Sequence, residues 1–290
     1  MKLKRTWIFV LLSLCLTLTF SCKYGSGNIF YEYNSVDNRV NSLKKLTPAE
    51  MSGVSVPAGQ PFSFMVLSDI HFGSIRADGN PLPLNEFWAW MDSKQASLSL
   101  PDFVFILGDN IDWCDDGFTA EYEAFCNKIE NEYHLKIFNI LGNHDMYQMG
   151  WEMWSTNCFP HTSFYKFEVN GFSFYALDTG SGTFGKKQVY LLKEEFAHDS
   201  NPKVVLTHYP LYTNFFYVTM DDTTERNLMI NLFNQNNVKA FFNGHIHRNE
   251  EIDLGSFTEY SVPSLRFRQK WTIVTVDPAT SSVNVQYFGK

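Results

Sequence analysis

Short apolar runs recur along the chain from Phe62 onward and set its architecture. They fall at Phe62–Leu67, Phe103–Leu107, Lys136–Leu141, Phe172–Leu177, Lys203–Leu206 and Val238–Phe242. Each is too short for a stable helix and rich in Phe, Val, Ile and Leu, the pattern of strands buried on both faces. Between several of them lie stretches with helical spacing, at Asn85–Leu98, Thr119–Tyr133, Lys186–His198 and Thr223–Asn234. Strands alternating with helices predict an α/β domain. The tail changes character. Phe257–Val262, Trp271–Val276 and Val283–Phe288 are short strands separated by turns, and they read as an antiparallel meander. Residues 22–60 are polar, with Gly, Ser, Asn and Pro interspersed, and predict a tether and lead-in with one short helix near Pro48; the domain then occupies 61–290.

Composition narrows the class. The chain has 290 residues, 19% charged and 44% apolar, which excludes a disordered chain and a small disulfide scaffold. Acidic residues number 31 against 23 basic, for a net charge of −8. Such a chain, without a basic run, is a poor fit to nucleic acid, and none is expected as a partner. The N-terminus stands apart. Lys2, Lys4 and Arg5 precede an uncharged stretch from Trp7 to Phe20, the layout of an export signal covering 1–21. Ser21-Cys22 then resembles a bacterial lipobox, although Thr19 stands where Leu is usual. Cys22 is therefore the expected lipidation site. It would anchor an exported protein to a membrane, facing the periplasm or the cell surface. Beyond the signal, Cys114, Cys126 and Cys158 allow one disulfide or three buried thiols.

The residues that follow the strands carry the chemistry. Ser68-Asp69-Ile70-His71 follows the first run and Gly108-Asp109-Asn110-Ile111-Asp112 the second. Gly142-Asn143-His144-Asp145, Thr207-His208-Tyr209-Pro210 and Asn243-Gly244-His245-Ile246-His247 follow three others. Open α/β sheets bind ligands outside the carboxyl ends of their strands. Five runs here deliver Asp, His and Asn to that edge. Asp69 and His71, two apart, point the same way on an extended segment, as do His245 and His247. Carboxylate, imidazole and amide oxygen, without thiolate, favour Mn, Fe, Zn, Co or Ni.

These blocks, in this order, resemble the calcineurin-like metallophosphoesterases, and the resemblance runs from about Phe62 to the C-terminus. It implies a four-layer α/β/β/α sandwich, with ligands at the C-terminal ends of strands, holding a dinuclear centre of two divalent metal ions. It also implies roles. The first ion would be held by Asp69, His71, Asp109 and His247. The second would be held by Asp109, Asn143, His208 and His245, with Asp109 bridging. A water or hydroxide between the ions would attack phosphorus in a phosphate mono- or diester. His144 would bind phosphate and protonate the leaving oxygen, with Asp145 orienting it. Asp112 is either an organiser of the site or an ordinary turn residue. Asp178, after another strand, reads as a supporting or turn residue. Purple acid phosphatases carry a metal-binding Tyr where Asn110 to Trp113 stand, so that branch does not match.

Two rival functions share these features. One is a nuclease of the same fold, disfavoured by the charge. The other is a non-catalytic surface lipoprotein that binds a ligand or glycan. Tyr209, Tyr212, Phe215, Phe216 and Tyr217 would serve it, or would pack on the core. Arg76, Arg248, Arg266 and Arg268 are candidates for holding an anionic group, and nothing in the sequence selects one.

Overall fold

The computed structural model describes residues 35–74, 84–214, 220 and 222–289. The export segment, Cys22, Arg76 and the aromatic positions 215–217 lie outside the described residues. The described strands are β1 (Lys44–Lys45), β2 (Phe62–Leu67), β3 (Phe103–Ile106), β4 (Lys136–Asn139), β5 (Tyr165–Val169), β6 (Phe172–Ala176), β7 (Lys203–Leu206), β8 (Val238–Asn243), β9 (Glu250–Asp253), β10 (Thr258–Ser261), β11 (Lys270–Asp277) and β12 (Ser282–Gly289). The helices are α1 (Val36–Arg39), α2 (Asn85–Ala96), α3 (Asp116–Glu132), α4 (Gly150–Asn157), α5 (Lys186–Phe196), α6 (Thr223–Gln235) and α7 (Leu265–Arg268).

The strands form two mixed sheets. One runs β12-β11-β2-β3-β4 and the other β1-β5-β6-β7-β8-β10-β9. Alternation along each strand decides what lies between them. Phe62, Phe64 and Val66 of β2, with Phe103 and Phe105 of β3, face Phe172 and Phe174 of β6, Leu206 of β7 and Phe242 of β8. Their neighbours Met65, Val104 and Ile106 point the other way, onto Phe87, Phe125 and Trp154 of α2, α3 and α4. On the far side, Tyr175, Val205 and Phe241 pack against Leu192, Met229 and Phe233 of α5 and α6. Strands covered on both faces must be apolar at every position, which is why these runs lack alternation. The result is the expected α/β/β/α order of layers. Phenylalanine fills the inter-sheet layer; Phe64 alone touches the rings of Phe103, Phe105, Phe174 and Phe242. Truncating such a residue to Ala costs about 3–5 kcal/mol.

Four expectations need correction. Residues 35–60 are not a free tether. Val36 and Val40 are buried in the α5–α6 core, and β1 pairs in parallel with β5. The helix of this segment is α1, and Pro48 lies in a turn instead. The tail is not a single meander. β10 joins the larger sheet, parallel to β8 and antiparallel to β9. Of the three tail strands, β11 and β12 pair with each other as an antiparallel hairpin, which extends the smaller sheet beyond β2. Finally, β5 and β9 were not anticipated, because Tyr165-Lys166-Phe167-Glu168-Val169 and Glu250-Glu251-Ile252-Asp253 interleave charges that mask them. A sequence signal for β5 existed. Asn170 (φ 47°) and Gly171 (φ 78°) make the two-residue turn to β6, and Asn-Gly is the preferred pair for that left-handed geometry.

Candidate metal centre

All five motif turns open on one edge, where the two sheets meet. The smaller sheet supplies Asp69 and His71 after β2, Asp109 after β3 and Asn143 after β4. The larger supplies His208 after β7 and His245 and His247 after β8. Hydrogen bonds between the sheets lock the turns together. The backbone N–H of His245 donates to Asp69 Oδ2 at 3.1 Å, and His208 Nδ1 donates to the Leu107 carbonyl at 2.7 Å. Close backbone approach is obligatory. A Cβ on Gly142 would collide with the Asp109 backbone nitrogen and Oδ1, and one on Gly244 with Ser68 Oγ.

The candidate ligands are held in costly backbone conformations. Asp69, His71, Asp109, His245 and His247 have φ of 51°, 50°, 51°, 67° and 58°. The left-handed region costs a non-glycine residue about 1–3 kcal/mol and persists where the surroundings over-determine it. Here Asp69 N–H is bound to Gly108 O at 3.1 Å and His71 N–H to Asp109 O at 2.9 Å. Clustered strain of this kind marks a site kept for its geometry.

Three groups of ligand atoms converge among the described residues; one is His71, Asp112 and His144, and the other two share Asp109. One atom from each of Asp69, His71, Asp109 and His247 lies within 4.8 Å of the others, and the same holds for Asp109, His208 and His245. Asp109 belongs to both. Asn143 Oδ1 stands 3.1 Å from His208 Nε2. The donor set fits cations. His208 spends its Nδ1 proton on a carbonyl that can only accept, and His71 spends its own on Asp112 Oδ1 at 2.7 Å. The Nε2 lone pairs that remain face Asp109 Oδ2, at 3.3 Å from His208 and 3.7 Å from His71. Lone pairs converging on a carboxylate repel unless a positive charge lies between them. In the protein alone a proton plays that part. Burial disfavours the imidazolium of His208, but the Asp109 charge overrides it and pushes the ring up to about 9. Burial would raise Asp109, but His208 and His71 hold it well below the usual carboxylate range. His245 shows the converse, pushed down to about 3 by burial and by the nearby charge of His208. A divalent ion satisfies the same lone pairs as the proton. The second contacts of His71 and His208 fix the tautomer that ligation requires.

The remaining motif residues divide sharply. Asp69, Asp109 and His208 are sealed from solvent, whereas the side chains of His144 and His247 are each 32% exposed. His144 therefore sits at the lip. Its backbone N–H donates to Asp109 Oδ1 at 2.9 Å, and its Nδ1 donates to the Asp112 carbonyl at 2.9 Å. Nε2 is thus the ring nitrogen not committed to the Asp112 carbonyl. The expected partner of His144 was Asp145, and the structure corrects this. The Asp145 carboxylate is fully buried and accepts the backbone N–H groups of Gly142, Asp109 and Asn110 at 2.9, 3.0 and 2.8 Å. It splices the second motif turn to the third. Burial and the Asp109 charge push it up to about 7. Asp112 holds the His144 ring instead through its backbone carbonyl, while its carboxylate bonds to His71 and lies 3.7 Å from His144 Nδ1.

Ser264 and Phe267 escaped the sequence reading, while Ser68, Arg266, Tyr209 and Asp178 were named there without these contacts. Ser68 Oγ donates to Asp69 Oδ2 at 2.6 Å and Ser264 Oγ to Asp69 O at 2.7 Å. Arg266, buried, donates to the His71 carbonyl at 3.1 Å. Phe267 stacks on His247, with centroids 4.9 Å apart, and Tyr209 on His245 at 3.9 Å. Asp178 supports the site from behind. It is paired with Arg39, and the next residue, Thr179, accepts the backbone N–H groups of His208 and Tyr209 through Oγ1. The three cysteines are free thiols.

Comparison with known proteins now has a geometry to meet. The family model for calcineurin-like phosphoesterases matches residues 62–249. The chain belongs to the calcineurin-like phosphoesterase family. A curated relative, from Fibrobacter succinogenes, is described as a probable cyclic nucleotide phosphodiesterase; it is 24% identical over 58% of this chain and 66% of its own length. Among solved structures, a dimetal phosphatase from Danio rerio is 10% identical, with a TM-score of 0.59 over 74% of this chain and 95% of its own. GAP50, the anchor in the inner membrane complex of Plasmodium, is 13% identical, with a TM-score of 0.53 over 80% and 90%. At such identities these two structures speak for the fold alone.

Proposed function

We propose that this phosphoesterase-family chain is an exported, lipid-anchored hydrolase that cleaves small phosphate mono- or diesters with two divalent metal ions. One observation carries the reading. Acceptor atoms of Asp69, His71, Asp109, Asn143, His208, His245 and His247 gather from both sheets around Asp109, with His71 and His208 in the tautomers that ligation needs. Two ions held there would acidify a water, orient the ester and neutralise charge in the transition state. Asp109 would serve both ions, with His71 and His208 flanking its Oδ2. His144 would donate a proton from Nε2 to the leaving oxygen, a service worth about 10²–10⁴ in rate. Its Nδ1 contact with Asp112 O keeps the ring aimed at the opening. The relative's description as a probable cyclic nucleotide phosphodiesterase supports diesters as substrates. The basic start, apolar stretch and Ser21-Cys22 pair support export and acylation.

The test is a substrate panel on the purified protein, loaded with Mn, Zn or Mg. It compares p-nitrophenyl phosphate with bis-p-nitrophenyl phosphate. Turnover should require metal and vanish with a chelator. A chain that binds two ions yet hydrolyses neither ester would reject the catalytic reading. For the anchor, Cys22→Ala should release the protein from membrane fractions; unchanged association would reject acylation.

A further inference from the structure

Beside the centre lies a groove of about 400 Å³ lined by Arg248, Asn249, Arg268 and Lys270. Every charged residue among these is a cation, in a chain whose net charge is −8. The groove is joined to the centre through His247. Arg248 is the next residue in the chain, and Arg268 Nε donates to the His247 carbonyl at 3.4 Å. Between groove and centre stands Phe267, half-exposed, its ring stacked on His247 and tilted against His71 at 5.5 Å. The three cations come from two separate elements, the turn after β8 and the junction of α7 with β11. The fold therefore brings like charges together in a chain of net negative charge.

Such a local reversal of sign focuses an anion at one place. A guanidinium presents a planar fork that matches phosphate, and an ammonium adds a point charge. We propose that the groove binds a second phosphoryl group of the substrate, remote from the one cleaved at the centre. The preferred substrates are then bisphosphates whose spacer passes Phe267 from the centre to the groove. This inference rests on the phosphoesterase reading and deepens it. The cations selected here include Arg248 and Arg268, which the sequence could not tell apart from Arg76 and Arg266.

The experiment uses the full chain loaded with Mn and measures phosphate release from matched pairs. Fructose 1,6-bisphosphate against fructose 6-phosphate adds a phosphoryl group; 3-phosphoglycerate against glycerol 3-phosphate adds a carboxylate. The wild type should prefer the bisphosphate in kcat/KM, chiefly through KM, and the preference should shrink as salt rises. Arg248→Gln and Lys270→Gln should each lower that preference about fivefold, and the double variant should nearly abolish it. No preference in the wild type, or one that survives in the double variant, overturns the proposal. A preference confined to the carboxylate pair overturns the phosphoryl assignment. Failure to hydrolyse both p-nitrophenyl phosphate and bis-p-nitrophenyl phosphate would strike at the phosphoesterase reading itself. Calorimetric binding of fructose 1,6-bisphosphate, tight in wild type and weakened in the double variant, would still decide the groove.

Discussion

Replacing Asp112 by Asn tests the arrangement around His144 most sharply, because two neighbouring carboxylates have traded places relative to the sequence expectation. Asp112 Oδ1 receives the His71 Nδ1 proton at 2.7 Å and lies 3.7 Å from His144 Nδ1. Asn keeps an oxygen for the first contact but removes the charge that supports both rings. Loss of such an outer partner typically costs 10–100-fold in metal affinity or activity, or about 1.4–2.7 kcal/mol at 1.36 per decade. The Asp112 side chain is 15% exposed, so water screens part of its charge and about tenfold is the better expectation. Stability should barely change, since no buried donor is stranded. Asp145→Asn should do the reverse. Its carboxylate serves four backbone N–H groups, and an amide would turn its own N–H₂ toward one or more of them, at about 1–3 kcal/mol for each stranded donor. The assay pairs urea denaturation with metal titration and with turnover of nitrophenyl and alkyl esters. On the proposed role of His144, alkyl esters would need its proton, so a loss greater on alkyl than on nitrophenyl esters belongs to whichever carboxylate acts on His144. If Asp145→Asn shows that selective loss at full stability while Asp112→Asn behaves as wild type, the geometric assignment is wrong.

Two further outcomes follow from buried charges. Arg39 and Asp178 form a two-pronged pair, Nε to Oδ2 at 2.8 Å and Nη2 to Oδ1 at 2.7 Å, with both side chains sealed from water. Arg39→Met should cost about 3–5 kcal/mol in urea denaturation, because the Asp178 charge stays buried; a loss below 1 kcal/mol would mean that the N-terminal segment is not clamped to the fold. Glu259 accepts Leu211 N–H, Tyr212 N–H and the Asn243 amide, yet burial pushes it up to about 8. Between the ordinary glutamate range and pH 8 the native state keeps a proton that the unfolded chain has released, so stability should fall as pH rises, by about 1.4 kcal/mol per unit. Glu259→Gln should flatten that slope in melts taken from pH 6 to 9, and an unchanged slope would exclude Glu259 as its source.

The sequence was informative wherever chemistry is local. Asp69, His71, Asp109, Asn143, His208, His245 and His247 each follow an apolar run within a few residues, so their shared edge could be read without coordinates. Runs covered on both faces lack alternation, and this exposed the layered α/β plan. What depends on how turns fold over one another was hidden. Asp145 adjoins His144 in the chain but points back to Gly142 and Asn110. Asp112, thirty-two residues away, reaches His144 instead. The pairing of β10 with β8, and the burial of Val36 and Arg39, are likewise contacts between distant segments. No spacing along the chain encodes them.

The centre draws its atoms from both sheets, and this gives the fold an internal proofreader. Neither sheet alone offers a complete nest: one lacks His208, His245 and His247, the other lacks every carboxylate. The full set of donors exists only where the phenylalanine layer holds the two sheets in register. Metal retention under dilution is therefore a report on assembly as well as on chemistry. A chain that closes its halves one residue out of step would be solvated, hydrophobic and empty at once. Because bound ions stabilise only the docked form, loading would draw the last unfinished molecules toward it.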